Sequence, residues 1–296
     1  MSKKTITIFT PTYNRAFCLD QVYQSLVQQT NQDFIWLLID DGSTDNTKEL
    51  VESWVAEQKI AIRYHYQENL GMHGGHNAAY QLINTELNVC IDSDDYMPND
   101  AIDRILNHYP TIKNNPKLAG LVGLDADKSG AIIGTKIPDH LKESSLFDIY
   151  KKYGVTGDKK IVYKTAVVQQ YPPYPIFKGE RLVPLGTLYL MIDQEYKLKP
   201  INEVLCIVEY LEDGSSRNIL RQYKKSPNGF RYSRILEMRY SKNLMYTFTR
   251  AMHLISSSIF NKKFNFFKNN PKKLITFLAI PFGICMHIYI LLKINK

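Results

Sequence analysis

The first hundred residues alternate between short apolar runs and stretches with helical spacing. The runs at residues 5–9, 34–39 and 87–91 are continuous rather than alternating in hydrophobicity. Such runs are typical of strands that are buried on both faces of a parallel sheet. They therefore predict at least three neighbouring strands in an α/β core.

Two stretches between these runs have the spacing of amphipathic helices. The first places Leu19 and Leu26 on one face, and Asp20 is its predicted amino-terminal cap. The second carries its apolar face after Thr44 or Asp45, and both are suitable caps. Alternating strands and helices predict an α/β fold, in which a mostly parallel sheet is flanked by helices.

Polar side chains gather where the three predicted strands end. Residues 10–15 follow the first strand, Asp40 and Asp41 follow the second, and residues 92–95 (Asp-Ser-Asp-Asp) follow the third. Ligands of open α/β sheets bind outside the carboxyl ends of the strands. Clustered carboxylates there suit Mg²⁺ or Mn²⁺, which bridges protein oxygens to phosphates. The pattern predicts a nucleotide or phosphate site, with an ordinary acidic turn as the alternative.

Taken together, these segments resemble a known family. Residues 10–15 (TPTYNR), 39–45 (IDDGSTD) and 91–95 (IDSDD) occur in the order and spacing of the family 2 glycosyltransferases. Those enzymes have the GT-A fold, invert the anomeric centre, depend on a metal ion and use nucleotide sugars. The resemblance is specific over about residues 5–100 and looser to about residue 230. It implies a GT-A nucleotide-binding domain.

The resemblance also implies roles for individual residues. In it, Asp41 accepts a hydrogen bond from the uracil imide, and Asp92 reaches the ribose hydroxyls. Asp94 binds Mn²⁺ or Mg²⁺, and Asp95 supports it. Asp40 is at least as well suited to holding the following turn as to contacting a ligand. The implied nucleotide-binding residues are Pro11, Tyr13, Asp41, Asn69, Asp92 and Ser93.

A glycine-rich segment at residues 68–79 resembles the family loop that leads into a helix behind the sugar. Met72 stands where many relatives have Lys. His76 and Asn77 are expected either to contact the sugar or the diphosphate, or to cap the next helix. Further along, Arg217 follows a Gly-Ser turn and suits bidentate phosphate binding, with a solvated hairpin turn as the alternative.

An inverting transfer needs a base that deprotonates the acceptor hydroxyl. The resemblance implies a carboxylate about a hundred residues beyond the acidic motif, near the start of a helix. Leu185 stands where many relatives have Glu, so Glu180 is the predicted base, and Asp193 and Glu195 are the second choices. The alternative for Glu180 is a loop ion pair with Lys178 or Arg181.

Charge divides the chain into two parts. The net charge of the chain is +8. Residues 221–296 contain fifteen Lys and Arg but only one acidic residue, Glu237, and therefore contribute +14. The remaining residues, 1–220, carry −6. Aromatic residues are interleaved with this basic charge. No RNA-binding signature accompanies them, so the pattern favours an anionic membrane surface. We therefore predict a catalytic domain at 1–220 and a basic helical region at 221–296.

A long apolar segment lies at residues 274–292, with lysines on either side. Pro281 and Gly283 interrupt it, so we expect a helix pair or a re-entrant segment in the membrane interface. A single span and a buried core helix are the alternatives. No signal peptide is recognised before the first strand, which predicts a catalytic domain at the cytoplasmic face. The unpaired spacing of the four cysteines predicts reduced thiols.

These features predict transfer of a sugar from a UDP-sugar to a lipid-linked glycan during surface polysaccharide assembly. Two alternatives remain open at this point. One is a non-catalytic relative that acts as a membrane scaffold, which Met72 and Leu185 keep in consideration. The other is a sugar nucleotidyltransferase, although residues 10–15 lack the Gly-rich loop typical of that class.

Overall fold

A single seven-stranded sheet organises the chain. The computed structural model describes residues 4–209, 219–262 and 264–294. The strands are β1 (Ile6–Thr12), β2 (Phe34–Asp40), β3 (Ile62–Tyr66), β4 (Leu87–Cys90), β5 (Leu118–Ala126), β6 (Lys159–Lys164) and β7 (Lys197–Ile207). Their order is β3-β2-β1-β4-β6-β5-β7, and only β6 runs antiparallel to its neighbours. The predicted mostly parallel α/β sheet is confirmed.

Eleven helices are found in the described part of the chain. They are α1 (Ala16–Val27), α2 (Thr47–Glu57), α3 (Met72–Leu82), α4 (Ala101–Lys113), α5 (Leu146–Lys151), α6 (Thr165–Val168), α7 (Gly186–Ile192), α8 (Ile219–Lys225), α9 (Pro227–Tyr240), α10 (Leu244–Phe260) and α11 (Lys273–Ile294). Helix α4 continues through Pro110 to Lys113. The helix tolerates proline there because Ile105 and Ile112 hold it in the core.

The predicted cap of the first helix is wrong. Helix α1 begins at Ala16, so Asp20 lies inside it. The free amide of Ala16 instead donates to Asp45 Oδ2 at 3.1 Å. The other oxygen of Asp45 accepts from the amide of Thr47 at 3.2 Å, at the start of α2. One carboxylate therefore stabilises the amino-terminal ends of both helices.

The core of the sheet is apolar and aromatic. Tyr23 of α1 stacks on Trp54 of α2, with ring centroids 4.5 Å apart. Trp36 of β2 is fully buried beside them, and its indole N–H donates to Thr10 Oγ1 at 3.0 Å. Burial of these large rings contributes strongly to holding both helices on the sheet.

The chain divides into two compact units. The first contains residues 1–69, 74–172 and 195–211, and includes the whole sheet. The second contains residues 70–73, 173–194 and 212–296. The sequence had predicted a single boundary near residue 220. The structure groups residues 173–194 with the carboxyl-terminal helices, because contacts distant in the sequence decide this division.

In the second unit, the apolar segment forms one helix. Helix α11 runs without a break from Lys273 to Ile294 and includes Pro281. The predicted helix pair or re-entrant segment is therefore wrong. Gly283 does not interrupt the helix but allows close packing, since a Cβ there would lie 2.7 Å from Cβ of Ile255 in α10.

A buried polar cluster lies between the sheet strands of the first unit. The side chain of Lys160 in β6 is largely buried, and its Nζ lies 3.9 Å from Asp95 Oδ2. Asp125 in β5 is 2% exposed, and its Oδ1 has no hydrogen-bond partner among the described residues. Burial raises the pKa of Asp125 to about 6, against the opposing effect of Lys160. The folded chain thus resists ionisation of this carboxyl.

This cluster predicts a pH dependence of stability. Because the folded pKa of Asp125 exceeds its ordinary value of 3.8, its contribution to stability is lost as pH rises through about 6. The Asp125→Asn variant has no carboxyl at this position, so its stability does not fall with this ionisation. Its free energy of unfolding relative to the parent protein should therefore rise, by up to about 3 kcal/mol, between about pH 4 and pH 7. Urea denaturation at a series of pH values measures this difference, and a constant difference would contradict the assignment.

Candidate functional site

The ends of three adjacent parallel strands define the site. Strand β1 lies between β2 and β4, with Thr12 opposite Asp40 and Phe9 opposite Cys90. The segments that follow these strands therefore emerge at one edge of the sheet. Pro11, Tyr13, Asp41 and residues 92–95 come together there, as the sequence predicted. Tyr13 is about half exposed, which leaves a ring face open for stacking.

The loops after β1 and β2 are joined by an asparagine. Asn14 has a φ of 51°, a left-handed conformation that Asn adopts more readily than most residues. Its backbone amide donates to Ser43 Oγ at 2.9 Å, and its Oδ1 accepts from the amide of Thr44 at 2.7 Å. Sequence reasoning had not assigned Asn14 a role, although an Asn in a tight loop signals this conformation.

The two aspartates at the end of β2 have different surroundings. Asp40 Oδ1 accepts from the amide of Ser43 at 2.8 Å, and Oδ2 accepts from the hydroxyl of Tyr64 at 2.5 Å. These contacts agree with the expected role of Asp40 in holding the turn. Asp41 Oδ1 accepts from Gln67 Nε2 at 2.6 Å. Gln67 thus orients Asp41, a role that the sequence did not suggest.

The acidic motif after β4 forms a tight turn. The amide of Asp95 donates to the carbonyl oxygen of Asp92 at 3.1 Å, and Gln21 Nε2 donates to the carbonyl oxygen of Asp94 at 2.6 Å. Asp92 is exposed, Ser93 is buried and Asp94 is half-buried. The turn therefore presents Asp92 and Asp94 nearer to solvent than its other two residues.

Asp95 points into the protein. Its Oδ1 accepts from the amide of Glu209 at 3.2 Å, and Lys160 lies beside Oδ2. Burial raises the pKa of Asp95 to about 7. These contacts suit a residue that supports the turn rather than one that reaches a ligand.

The carboxylates fit a metal ion that is shared with a substrate. Among the residues that the structure describes, no group of three or more His, Cys, Asp or Glu side chains is placed to hold a metal ion. A cage made entirely of protein ligands is therefore absent from this part of the chain. Mg²⁺ and Mn²⁺ sites commonly use one or two carboxylates, waters and substrate phosphates. Asp94 stays the predicted ligand of such an ion.

The glycine-rich segment differs from its prediction. Helix α3 begins at Met72, so His76 and Asn77 lie inside the helix and do not cap it. His76 is buried, and its Nδ1 lies 3.3 Å from the hydroxyl of Tyr80, while its ring packs edge-on against Phe9. These contacts place the His76 ring in the core behind β1.

Two glycines allow close approaches near the site. A Cβ at Gly75 would lie 3.0 Å from Cβ of Pro11, so glycine lets α3 approach the end of β1. Gly42 has a φ of 85°, and a Cβ there would lie 2.9 Å from the amide nitrogen of Asn69. Asn69 Oδ1 is buried without a hydrogen-bond partner among the described residues. A ligand donor would satisfy this oxygen.

The predicted base Glu180 belongs to the second unit and contacts the start of α9. Its Oε1 accepts from the backbone amide of Asn228 at 3.0 Å and from Asn228 Nδ2 at 2.6 Å. Its Oε2 accepts from the amide of Gly229 at 2.9 Å. Glu180 thus caps a helix that begins 47 residues later, instead of pairing with Lys178 or Arg181.

Other predicted residues of the second unit surround α7. Leu185 directly precedes α7, at the helix start where a base was expected, and Asp193 directly follows that helix. Arg217 lies outside the residues that the structure describes. The roles of Glu180, Asp193 and Arg217 stay predictions.

Comparisons with known proteins agree with this geometry. Residues 7–115 match the family model described as Glycosyl transferase family 2. The validoxylamine A glucosyltransferase of Streptomyces hygroscopicus subsp. jinggangensis is 43% identical over 68 residues, which are 22% of this chain and 16% of that protein. Chondroitin synthase of Escherichia coli is 29% identical over 104 residues, 35% of this chain and 15% of that protein. The chain therefore matches less than a fifth of the length of either relative.

Solved structures extend the likeness to most of the chain. The Staphylococcus aureus protein TarS in complex with UDP-GlcNAc has a TM-score of 0.62 and 16% identity, and the match covers 95% of this chain and 80% of that one. A mannosyltransferase of Pyrobaculum calidifontis in complex with GDP-Man and Mn²⁺ has a TM-score of 0.57 and 15% identity, with 96% and 74% covered. Residues 7–115 are therefore similar to glycosyl transferase family 2, and the chain shares the α/β fold of these two structures.

Proposed function

We propose that this chain transfers a sugar from a UDP-sugar to a lipid-linked glycan acceptor, with inversion and with Mn²⁺ or Mg²⁺. The observation that carries the proposal is the convergence of Tyr13, Asp41 and the turn at 92–95 at one edge of the sheet. The half-exposed Tyr13 ring suits stacking on a nucleobase, and the buried Asp41 carboxylate suits a hydrogen bond from the base imide. The carboxylates of the turn at 92–95 suit a metal-bound diphosphate. The related structures with bound UDP-GlcNAc and GDP-Man support a nucleotide-sugar donor.

The reaction requires charge neutralisation and a base. When bound, the divalent ion would take up charge on the departing nucleoside diphosphate. In this chain, Asp94 would hold the ion, Asp95 would fix the turn, and Gln67 would orient Asp41. A carboxylate, Glu180 or Asp193, would accept the proton of the acceptor hydroxyl as it attacks the anomeric carbon.

The proposed setting is the cytoplasmic face of the cell membrane, during surface polysaccharide assembly. Within the described residues, α11 alone is long and apolar enough to cross a bilayer, and 22% of its most apolar window is buried. An ordinary core helix would be mostly covered, so this exposure supports membrane association. The matches to chondroitin synthase and a teichoic acid polymerase support polymer assembly as the setting.

The metal assignment predicts the behaviour of Asp94→Ala. Calorimetry with UDP should show binding that is strengthened by Mn²⁺ in the parent protein, and the variant should lose this strengthening. Asp20→Ala is the matched control, because it removes an exposed carboxylate on α1 and should bind as the parent does. Mn²⁺-dependent binding retained in Asp94→Ala would refute the metal role. If the parent itself binds no UDP, the chain is better explained as a scaffold.

The uracil assignment predicts a change in base selectivity. Asp41 can accept the imide N–H of uracil, whereas cytosine presents an acceptor at that position. In Asp41→Asn, the side-chain oxygen can still accept from Gln67 while its amide faces the base. We expect UDP affinity to fall about tenfold and CDP affinity to rise, since each mismatched hydrogen bond costs about 1–3 kcal/mol. The affinities are measured by calorimetric titration. An unchanged ratio of UDP affinity to CDP affinity would show that Asp41 does not contact the nucleobase.

The two candidate bases are separated by comparing Glu180→Gln with Asp193→Asn. Glu180→Gln turns an amide group towards the N–H donors of α9, so we expect a loss of about 1–3 kcal/mol in the free energy of unfolding. UDP affinity should be unchanged in both variants. Removal of the true base should lower transfer by about 10²–10⁴-fold. Normal transfer per folded molecule in Glu180→Gln would exclude Glu180 as the base.

A further inference from the structure

Helix α11 has two opposite faces with different surroundings. One face is buried and consists mostly of small or polar residues, namely Thr276, Ala279, Gly283, His287 and Ile290. The opposite face is exposed and apolar, with Leu274, Phe277, Leu278, Phe282, Ile284, Ile288, Tyr289 and Leu292 between 44% and 73% exposed. No charged residue occurs between Lys273 and Lys293. A continuous apolar surface of this length calls for a partner. We name this exposed set the apolar face of α11.

The buried face of α11 packs on α10. Gly283 lies against Ile255, and Ser256 Oγ is 3.2 Å from Nδ1 of His287. Phe282, at the edge of the apolar face, also contacts α10, and its ring centroid lies 5.5 Å from that of Phe248. These contacts extend over most of both helices. Any movement of α11 into a membrane therefore takes α10 with it.

Helix α10 is in turn joined to charged residues of α9. Arg234 donates from Nη1 to both oxygens of Glu237 at 2.9 Å, and Arg250 of α10 lies 3.5 Å from the same carboxylate. Ile235 and Met238 pack with the apolar residues of α10 in one cluster. If α11 crossed a bilayer, this ion-pair network would be drawn towards the hydrocarbon. Charged groups at that depth are costly, by several kcal/mol each.

Length alone would allow α11 to span. Its 22 residues correspond to about 33 Å, close to the ~30 Å thickness of the hydrocarbon core. A spanning helix can use its whole circumference for lipid or other membrane helices. Here one side is occupied by α10 and, through it, by charged α9. Only the apolar face of α11 is left to contact lipid, which suits a helix that inserts one face into a single leaflet.

We infer that α11 lies in the plane of an anionic membrane leaflet, with its apolar face inserted and its flanking lysines on the headgroups. Charge complementarity favours a lipid surface over a second copy of this chain, because residues 221–296 carry +14 and two copies would repel each other. The inference deepens the membrane association in the proposed function. It does not depend on sugar transfer, because vesicle binding is measured without donor or acceptor.

Vesicle sedimentation tests the surface itself. The full chain should bind vesicles of phosphatidylglycerol and phosphatidylcholine more tightly than vesicles of phosphatidylcholine alone. Phe277→Ser and Ile288→Ser remove exposed apolar side chains and should each weaken binding about tenfold or more. Phe147→Ser, at an exposed phenylalanine of α5, is the matched control and should leave binding unchanged. The double variant Lys272→Glu, Lys273→Glu should weaken binding to vesicles that contain phosphatidylglycerol, by at least about fivefold for each lysine replaced. Its binding to vesicles of phosphatidylcholine alone should not change.

Depth measurements distinguish an in-plane helix from a spanning one. Three single-cysteine variants each carry one fluorophore. The first is labelled at Cys285, and the others at Leu274→Cys or Leu292→Cys with Cys285→Ala. All other cysteines are replaced by Ser or Ala. Quenching by lipids labelled at different depths should place all three positions at a similar, shallow depth. A probe at 285 near the bilayer centre, with shallow ends at 274 and 292, would overturn the inference in favour of a span.

Two further outcomes would also overturn the proposal. One is equal binding of the parent protein, Phe277→Ser and Ile288→Ser. The other is no vesicle binding together with a dimer in sedimentation equilibrium that Phe277→Ser dissociates, which would assign the apolar face of α11 to a second copy. Circular dichroism melts of each variant identify loss of fold, and UDP calorimetry on the same preparations tests the donor site separately.

Discussion

The candidate site depends on the burial of β1, β2 and β4 on both faces of the sheet. A strand whose side chains are covered on both sides has no room for charge along its length, so its polar residues collect where it ends. Because the three strands are parallel and adjacent, these ends meet at one edge. Tyr13, Asp41 and the turn at 92–95 are neighbours for this reason, although they are far apart in the sequence.

Hydrogen bonds from residues outside the motifs then hold the side chains and loops of the candidate site. Gln67 orients Asp41, Gln21 holds the backbone of the acidic turn, and Asn14 joins the loops after β1 and β2. Beneath the turn, Lys160 lies beside the buried carboxylate of Asp95. Its positive charge also offsets part of the cost of burying Asp125. These hydrogen bonds restrict the candidate site before a ligand binds, and such preorganisation lowers the entropic cost of binding.

The sequence predicted features that depend on local pattern and missed those that depend on distant contacts. Strands and the polar residues at their ends follow from hydrophobic runs, and both were predicted. The start of α1 was missed because its capping group, Asp45, lies 29 positions away. The partner of Glu180 was missed for the same reason, since Asn228 is 48 positions further on. Pro281 alone predicts a helix break, whereas the packing of α11 on α10 keeps the helix continuous through it.

Helix α11 shows why composition alone does not decide between a core helix, a span and a surface anchor. All three are apolar in sequence, and they differ in which sides are covered by protein. Gly283 and Ala279 let α10 cover one side closely, and the ion pairs of Arg234, Glu237 and Arg250 tie α10 to a charged neighbour. The opposite side has only apolar groups, bounded by lysines. A helix constrained in this way gains most by inserting one face into a leaflet while its charged neighbours stay in water.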